Sequence, residues 1–334
     1  MKTAKKRFCA VLALILLLSL TACGGKTNDN ATQKITFVLD WTPNTNHTGL
    51  YVALEKGWFA EAGLDVEIVQ PPEGGAEMLV GSGKAQFGVS FQDSMAPALI
   101  GDTALPITAV AAVIQHNTSG IVSRKGEGMN VPRGLENRQY ATWDSPVELA
   151  MMEAVVEADG GDFDKVILIP STVTDEVSAL ESKSVDAIWI FYAWAGIACE
   201  TAGLDIDYFA FSDIEPAFDY YTPVIIANND FLKDRPDMAK DFLSALAKGY
   251  EYAIDHPTEA ADILMKAAPE LKSNTELVYA SQEYLADQYQ ADAAQWGVFD
   301  ANRWNGFYNW LNEHKLVEEN IPENTGFTND YLPK

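Results

Sequence analysis

The sequence predicts a two-lobed α/β protein, and three observations carry the prediction. Past residue 34, short apolar runs alternate with longer amphipathic ones, the pattern of strands and helices in largely parallel sheets. The chain has 334 residues, 48% of them hydrophobic and 11% aromatic, which supports two domains of roughly 150 residues with separate cores. Two stretches also read as one supersecondary unit used twice. Ile35 to Pro43, a strand and then Asp40-Trp41-Thr42-Pro43, parallels Arg138 to Pro146, a strand and then Trp143-Asp144-Ser145-Pro146. Val80 to Gln92 lines up with Leu180 to Tyr192, pairing Ser82 with Ser182 and Gln86 with Asp186. Duplication and chance similarity of two βαβ units both account for so thin an identity.

In chain order, the first segment is a targeting signal. Lys2, Lys5, Lys6 and Arg7 form a basic region, and Phe8 to Leu20 an apolar run too short to span a membrane comfortably. Leu20-Thr21-Ala22-Cys23, followed by two glycines, resembles a bacterial lipoprotein box, with cleavage before a lipidated Cys23. An ordinary signal peptide containing a cysteine is the alternative. Removing residues 1–22 takes away four positive charges and no negative one, moving the formal charge from −25 to −29. Residues 23–34 are then a polar, flexible tether.

Strands are expected at Ile35 to Leu39, Asp65 to Val69, Phe87 to Phe91, Pro106 to Val113, Gly120 to Ser123, Gln139 to Thr142, Lys165 to Ile169, Ala187 to Phe191 and Thr222 to Ala227. Helices fit Asn46 to Lys56, Gly75 to Ser82, Pro146 to Ala158, Val173 to Glu181 and Trp194 to Ala202. From Asp237 onward the chain is mostly helical, with Phe242, Leu243, Leu246, Tyr250 and Ile254 on one helical face. The chain passes between lobes near His116 to Gly120 and returns near Tyr221 to Pro223. Lobe 1 is therefore 35–117 and 223–334, and lobe 2 is 118–222.

Composition removes several functions. A chain with 23 basic and 48 acidic residues repels nucleic-acid backbones and anionic lipid surfaces. Cys9, Cys23 and Cys199 make no disulfide framework, and histidines at 47, 116, 256 and 314 have no zinc-like spacing. No GxGxxG follows a strand, and there is no Walker motif or GxSxG elbow, so no cofactor is implied.

Ligands of open parallel sheets sit beyond the carboxyl ends of the strands. Those positions hold Asp40, Trp41, Asn44, Thr45 and Asn46, then Gln92, Asp93 and Ser94 in the first lobe, and Trp143, Asp144, Ser145, Tyr192 and Trp194 in the second. Asn117 and Tyr221 lie at the crossings. Indole and phenol faces stack on flat rings, while amides and carboxylates read a ring's edge. None of the six arginines stands at these strand ends, which disfavours nitrate, sulfonate or phosphate. A neutral or cationic heteroaromatic ring fits. Each residue has a plainer role available. Trp41 and Trp143 could plug the lobe surfaces, and Asn44, Asn46, Asp93 and Asp144 could cap turns and helices. Trp189 is assigned to the core, His47 to packing and Cys199 to a buried apolar site.

The run Asp40-Trp41-Thr42-Pro43-Asn44-Thr45-Asn46-His47-Thr48-Gly49-Leu50-Tyr51-Val52-Ala53 resembles the opening of the thiamine-pyrimidine-precursor-binding family. Glu55-Lys56-Gly57-Trp58-Phe59, Gly63-Leu64 and Gly88-Val89-Ser90 extend the likeness. These are substrate-binding lipoproteins of ABC importers, related to yeast pyrimidine-precursor synthases and riboflavin-binding lipoproteins. The resemblance implies a type II periplasmic-binding-protein fold whose two lobes, joined by two crossovers, close on a ligand in the cleft between them. It implies ligand contacts at Trp41 and Asn44 and, by position, at Trp143 and Tyr192. It also implies a monomer, lipid-anchored outside the cell membrane, that delivers its ligand to a permease driven by separate ATPase subunits. The yeast synthases use a cysteine-rich segment with a reactive histidine, whereas Cys199 stands alone here, which weighs against an enzyme. A sensory or adhesive lipoprotein of the same fold is a third class. The aromatic segment Trp189 to Gly196 leaves room for a flavin.

Overall fold

The computed structural model describes residues 32–171 and 173–334. The expected signal peptide at 1–22, Cys23 and the tether as far as residue 31 lie outside them. The ten strands are β1 (Gln33–Val38), β2 (Leu64–Val69), β3 (Phe87–Ser90), β4 (Ile107–Ala112), β5 (Ser119–Arg124), β6 (Gln139–Thr142), β7 (Ile167–Pro170), β8 (Ala187–Phe191), β9 (Ile206–Ala210) and β10 (Val224–Asn228). They form two five-stranded sheets, ordered β2-β1-β3-β10-β4 and β7-β6-β8-β5-β9, within one compact unit, Lys34–Lys334. Residues 33 and 34, expected in the tether, begin β1.

The sheets are mixed, where largely parallel ones were expected. β1 with β3, and β6 with both β7 and β8, run parallel. β10 lies antiparallel between β3 and β4, and β5 antiparallel between β8 and β9. Both reversed strands sit next to a passage between the sheets. A strand delivered directly from the other sheet lacks the helical crossover that makes neighbours parallel. β9 was not expected, because Ile206-Asp207-Tyr208-Phe209-Ala210 is a half-buried edge strand without a clean apolar alternation.

The two sheets share one plan, and the Gln86/Asp186 equivalence has a structural meaning. The Gln86 side chain accepts the Thr36 backbone N–H at 2.8 Å, and Asp186 accepts that of Gln139 at 2.9 Å. Each side chain, just ahead of its own strand, thus bonds the backbone of the parallel neighbour, at Thr36 within β1 and at Gln139 opening β6. Ser82 and Ser182 both cap the ends of the preceding helices.

The helix Pro236–Asp255 presents its apolar face to the first sheet. Its Phe242 stacks on Phe37, Phe59 and Phe87, with ring centroids 6.0, 5.0 and 4.1 Å away. It crosses the helix Thr48–Glu55 backbone to backbone, where Gly249 meets Gly49. A methyl group on Gly249 would stand 1.9 Å from the Gly49 carbonyl oxygen. Two tyrosines hold the loop after β1: Tyr250, next to the crossing, and Tyr289, at the end of the helix Thr275–Gln288, donate their hydroxyls to the carbonyls of Asn46 and Thr45, each at 2.7 Å.

At the two passages between sheets, the Asp219 carboxylate accepts the Asn117 N–H at 2.9 Å and faces His116 Nδ1 at 2.7 Å. The Arg303 guanidinium lies 3.4 Å from it and donates to the Gln115 carbonyl at 2.6 Å. The passages are thereby fastened to each other and to the C-terminal helix Ala301–Glu313.

Candidate functional site

A cavity of about 370 Å³ opens where the loops after β1, β3 and β6 face the carboxyl end of β8. Asp40, Trp41, Asn44 and Asn46 line it from the first loop, with Phe91 beside them. Trp143 follows β6, and Trp189 and Phe191 belong to β8. Trp194, Glu176 and the returning Thr222-Pro223 complete the wall.

The first loop is held by its own side chains. Asn44 Oδ1 caps the turn by accepting the Asn46 N–H at 2.9 Å, so its capping role is real and coexists with its place in the wall. His47 Nδ1 accepts the Asn44 N–H at 3.2 Å, which leaves the ring hydrogen on Nε2 to donate to Asp40 Oδ1 at 2.7 Å. His47, fully buried, thus orients the Asp40 carboxylate at the cavity edge. A serine of the C-terminal helices, Ser281, bonds to Thr45 and to the carbonyl of Ala193, linking this loop to the turn that carries Trp194.

The loop after β6 depends on Glu148, which is not among the residues expected from the sequence to shape the site. Its buried carboxylate accepts Tyr140 O–H at 2.6 Å, Thr142 O–H at 3.1 Å and the Trp143 N–H at 2.9 Å, and closes a capping box with Ser145. The sequence signal was present, since Ser145-Pro146-Val147-Glu148 has the spacing of such a box. Trp143 is held by its backbone while its indole stays 49% exposed; Trp41 is 53% exposed. Neither is a core plug. Trp189 is buried, as assigned, yet it also forms the cavity floor, 5.5 Å from Trp143. Three buried wall atoms have no hydrogen-bond partner: Trp189 Nε1, Asn46 Oδ1 and Thr222 Oγ1.

Of the expected contacts, Asp40, Trp41, Asn44, Asn46, Trp143 and Trp194 come together. The others stand outside this wall. Gln92 is a buried strut that accepts the Tyr221 N–H at 2.9 Å and donates to the Trp304 carbonyl at 2.7 Å. Asn117 bonds the Phe218 carbonyl and the Ser119 N–H. Tyr221 is buried against Phe299 and Trp304, and its oxygen accepts the Asp300 N–H. Tyr192 turns toward Tyr208 and Tyr284 and donates to Glu200 at 2.6 Å. Asp144 occupies a left-handed turn position with φ 59°. Asp93 and Ser94 line a separate cavity of about 380 Å³ with Ser145 and Leu316. Gln92, Asn117, Tyr192 and Tyr221 are thus engaged by partners of the protein itself, which tertiary packing decides and local sequence does not. Phe91, Glu176 and Thr222 were missed, since nothing local separates them from core or loop residues.

The cavity's charge is acidic. Neither Lys nor Arg is among its lining residues, whereas Asp40 and Glu176 are. Burial raises the Glu176 carboxyl above its ordinary value; its own backbone N–H opposes this and the Asp175 charge adds to it. Cys199 lies buried nearby, and burial pushes its thiol up to about 12, which leaves it protonated and unreactive near neutral pH. Among the described residues no group of three or more His, Cys, Asp or Glu could hold a metal ion, and no helix is long and apolar enough to cross a membrane.

Residues 44–260 match the family described as NMT1/THI5 like. The chain is 28% identical over 331 residues to the formylaminopyrimidine-binding protein of Halalkalibacterium halodurans, covering 97% of this chain and 98% of that one. It is 25% identical over 300 residues to a 4-amino-5-hydroxymethyl-2-methylpyrimidine phosphate synthase of Saccharomyces cerevisiae, covering 84% and 81%. Among solved structures it superposes on the periplasmic aliphatic sulphonate binding protein of Escherichia coli with a TM-score of 0.67, at 12% identity, over 86% of this chain and 90% of that one. This last likeness shows the two-lobed periplasmic-binding-protein fold that the sequence led us to expect.

Proposed function

Because the chain belongs to the NMT1/THI5-like family, we propose that it is the extracytoplasmic substrate-binding component of an ABC importer for a thiamine-type pyrimidine precursor. One observation carries the reading: a cavity between the two sheets that is walled by Trp41, Trp143, Trp189 and Trp194, edged by amides and carboxylates, and free of Lys and Arg. Such a wall stacks a neutral or cationic ring and repels sulfonate and phosphate. The similarity to a formylaminopyrimidine-binding protein over nearly all of both chains supports the ligand class. The yeast relatives are synthases. The inert Cys199 and the engagement of His47 with Asp40 favour binding without chemistry here.

In this reading residues 35–117 and 223–334 form one lobe and 118–222 the other. The ligand favours the closed arrangement because tryptophans of both lobes reach it only there. A lipid on Cys23, after removal of residues 1–22, keeps the monomeric protein at the membrane beside its permease and ATPase subunits. Calorimetric titration with 4-amino-5-hydroxymethyl-2-methylpyrimidine, riboflavin, taurine and an alkylsulfonate is the test. Saturable binding of the pyrimidine alone supports the reading. Preference for riboflavin would move the ligand to a flavin, and preference for a sulfonate would overturn the assignment.

A further inference from the structure

Glu176 is the first residue of the short helix Glu176–Glu181 and lines two spaces at once. One is the tryptophan-walled cavity. The other is a groove of about 630 Å³ that shares Thr174, Glu176 and Trp194 with it and continues toward Ser273–Leu277. Glu176 forms no ion pair among the described residues, although its surroundings are acidic. Asp175 precedes it, Cys199 and Glu200 lie on the neighbouring helix, Asp40 with its bonded His47 lines the same cavity, and Glu276 lines the groove. A half-buried carboxyl with no cation, set in an aromatic cavity, calls for a partner that both accepts and donates a hydrogen bond. The unpartnered Trp189 Nε1, Asn46 Oδ1 and Thr222 Oγ1 in the same wall point to a ligand there as well.

Resting on the function proposed above, we infer that Glu176 is the specificity-determining residue that reads the amidine edge of an aminopyrimidine, the ring nitrogen together with the adjacent exocyclic amine. A carboxyl group matches that edge with two hydrogen bonds if one proton is shared between its oxygen and the ring nitrogen. The second oxygen accepts from the amine. No bond is made or broken beyond that proton's position. Binding therefore requires one proton on the pair, and affinity falls as rising pH removes it, since an ionised carboxylate then faces the ring nitrogen's lone pair. The raised position of the carboxyl is consistent with this demand.

The test compares the full chain with Glu176→Gln and Glu176→Ala, using 4-amino-5-hydroxymethyl-2-methylpyrimidine and its benzene analogue, in which C–H replaces both ring nitrogens. Glutamine retains an acceptor and a donor, so Glu176→Gln should bind the neutral pyrimidine within about threefold of the native chain and lose the fall in affinity as pH rises above neutral. Glu176→Ala should bind it about tenfold or more weakly and lose the preference over the benzene analogue. Unchanged melting temperatures separate these effects from misfolding. If Glu176→Ala binds the pyrimidine as well as the native chain does, or if Glu176→Gln loses as much as Glu176→Ala, the two-point assignment is wrong while the proposed function stands. If the native chain does not bind the pyrimidine, both fall.

Discussion

Replacing Gly249 by alanine tests whether the contact between helices Thr48–Glu55 and Pro236–Asp255 shapes the site from a distance. In an ordinary helix interior the change stabilises by about 1 kcal/mol, because alanine loses less backbone freedom than glycine. Here the new methyl would lie 1.9 Å from the Gly49 carbonyl oxygen and 3.1 Å from the Ala53 side chain. Non-bonded carbon and oxygen need roughly 3 Å or more, so the helices must part by about 1 Å, loosening dispersion contacts along the crossing. Overpacking of this kind costs about 1–3 kcal/mol and more where backbone must move. The contact is with a carbonyl and not with a flexible side chain, so the upper end applies. The net loss is about 2 kcal/mol, or a melting temperature lower by about 3 °C in a compact unit of this size. Tyr250 follows Gly249 directly and holds the Asn46 carbonyl, so ligand affinity should fall as well. Differential scanning calorimetry and titration on the same preparation read both. A melting temperature unchanged or raised would refute the reasoning, since that is how a loosely packed helical glycine behaves.

Three further outcomes follow from the site and its surroundings. Trp143→Ala or Trp41→Ala should weaken pyrimidine binding by about tenfold or more and leave the unliganded melting temperature nearly unchanged, because about half of each side chain is already in water; several degrees lost with affinity intact would return both to a packing role. Burial pushes the Asp93 carboxyl up to about 6, above its value of about 3.9 in an unfolded chain, so its contribution to stability is full below the unfolded value and disappears as pH rises through about 6. Asp93→Asn should therefore shrink the fall in melting temperature between about pH 4 and about pH 6.5, as thermal scans across that range would register. Cys23→Ala should abolish partitioning into the detergent phase, since each buried CH₂ of an acyl chain contributes about 0.8 kcal/mol to membrane association; unchanged partitioning would count against the anchor.

Much of the fold was legible because periodicity is a local property. β6, β8 and the helix Pro146–Ala158 fall on the expected residues, and Phe242, Leu243, Leu246 and Tyr250 are buried on the anticipated helix face. The reversal of β5 and β10 was not legible, since strand direction depends on where the chain comes from and not on which residues compose the strand. The site divides similarly. Trp41 and Trp143 stood out as large rings at bends beside proline, and the structure keeps both open to the cavity. Gln92 and Asn117 look identical in sequence to ligand-reading amides. They are used up because a crossing without regular backbone pairing needs side chains to bond its N–H and C=O groups. Glu176 shows the converse, an ordinary helix-start carboxylate that becomes distinctive only when aromatic residues from elsewhere enclose it.

The place of β10 between β3 and β4 has a consequence for the order in which the first sheet can be completed. Among the described strands β4 pairs with β10 alone, so its ladder forms only when a segment more than a hundred residues further along the chain has come back to it. A chain that has not yet seated β10 carries the first sheet with a gap in it, the edges of β3 and β4 left open on either side of the missing member. Pairing of either open edge with another molecule is the hazard of that interval, and the interval ends when Val224–Asn228 is seated between them.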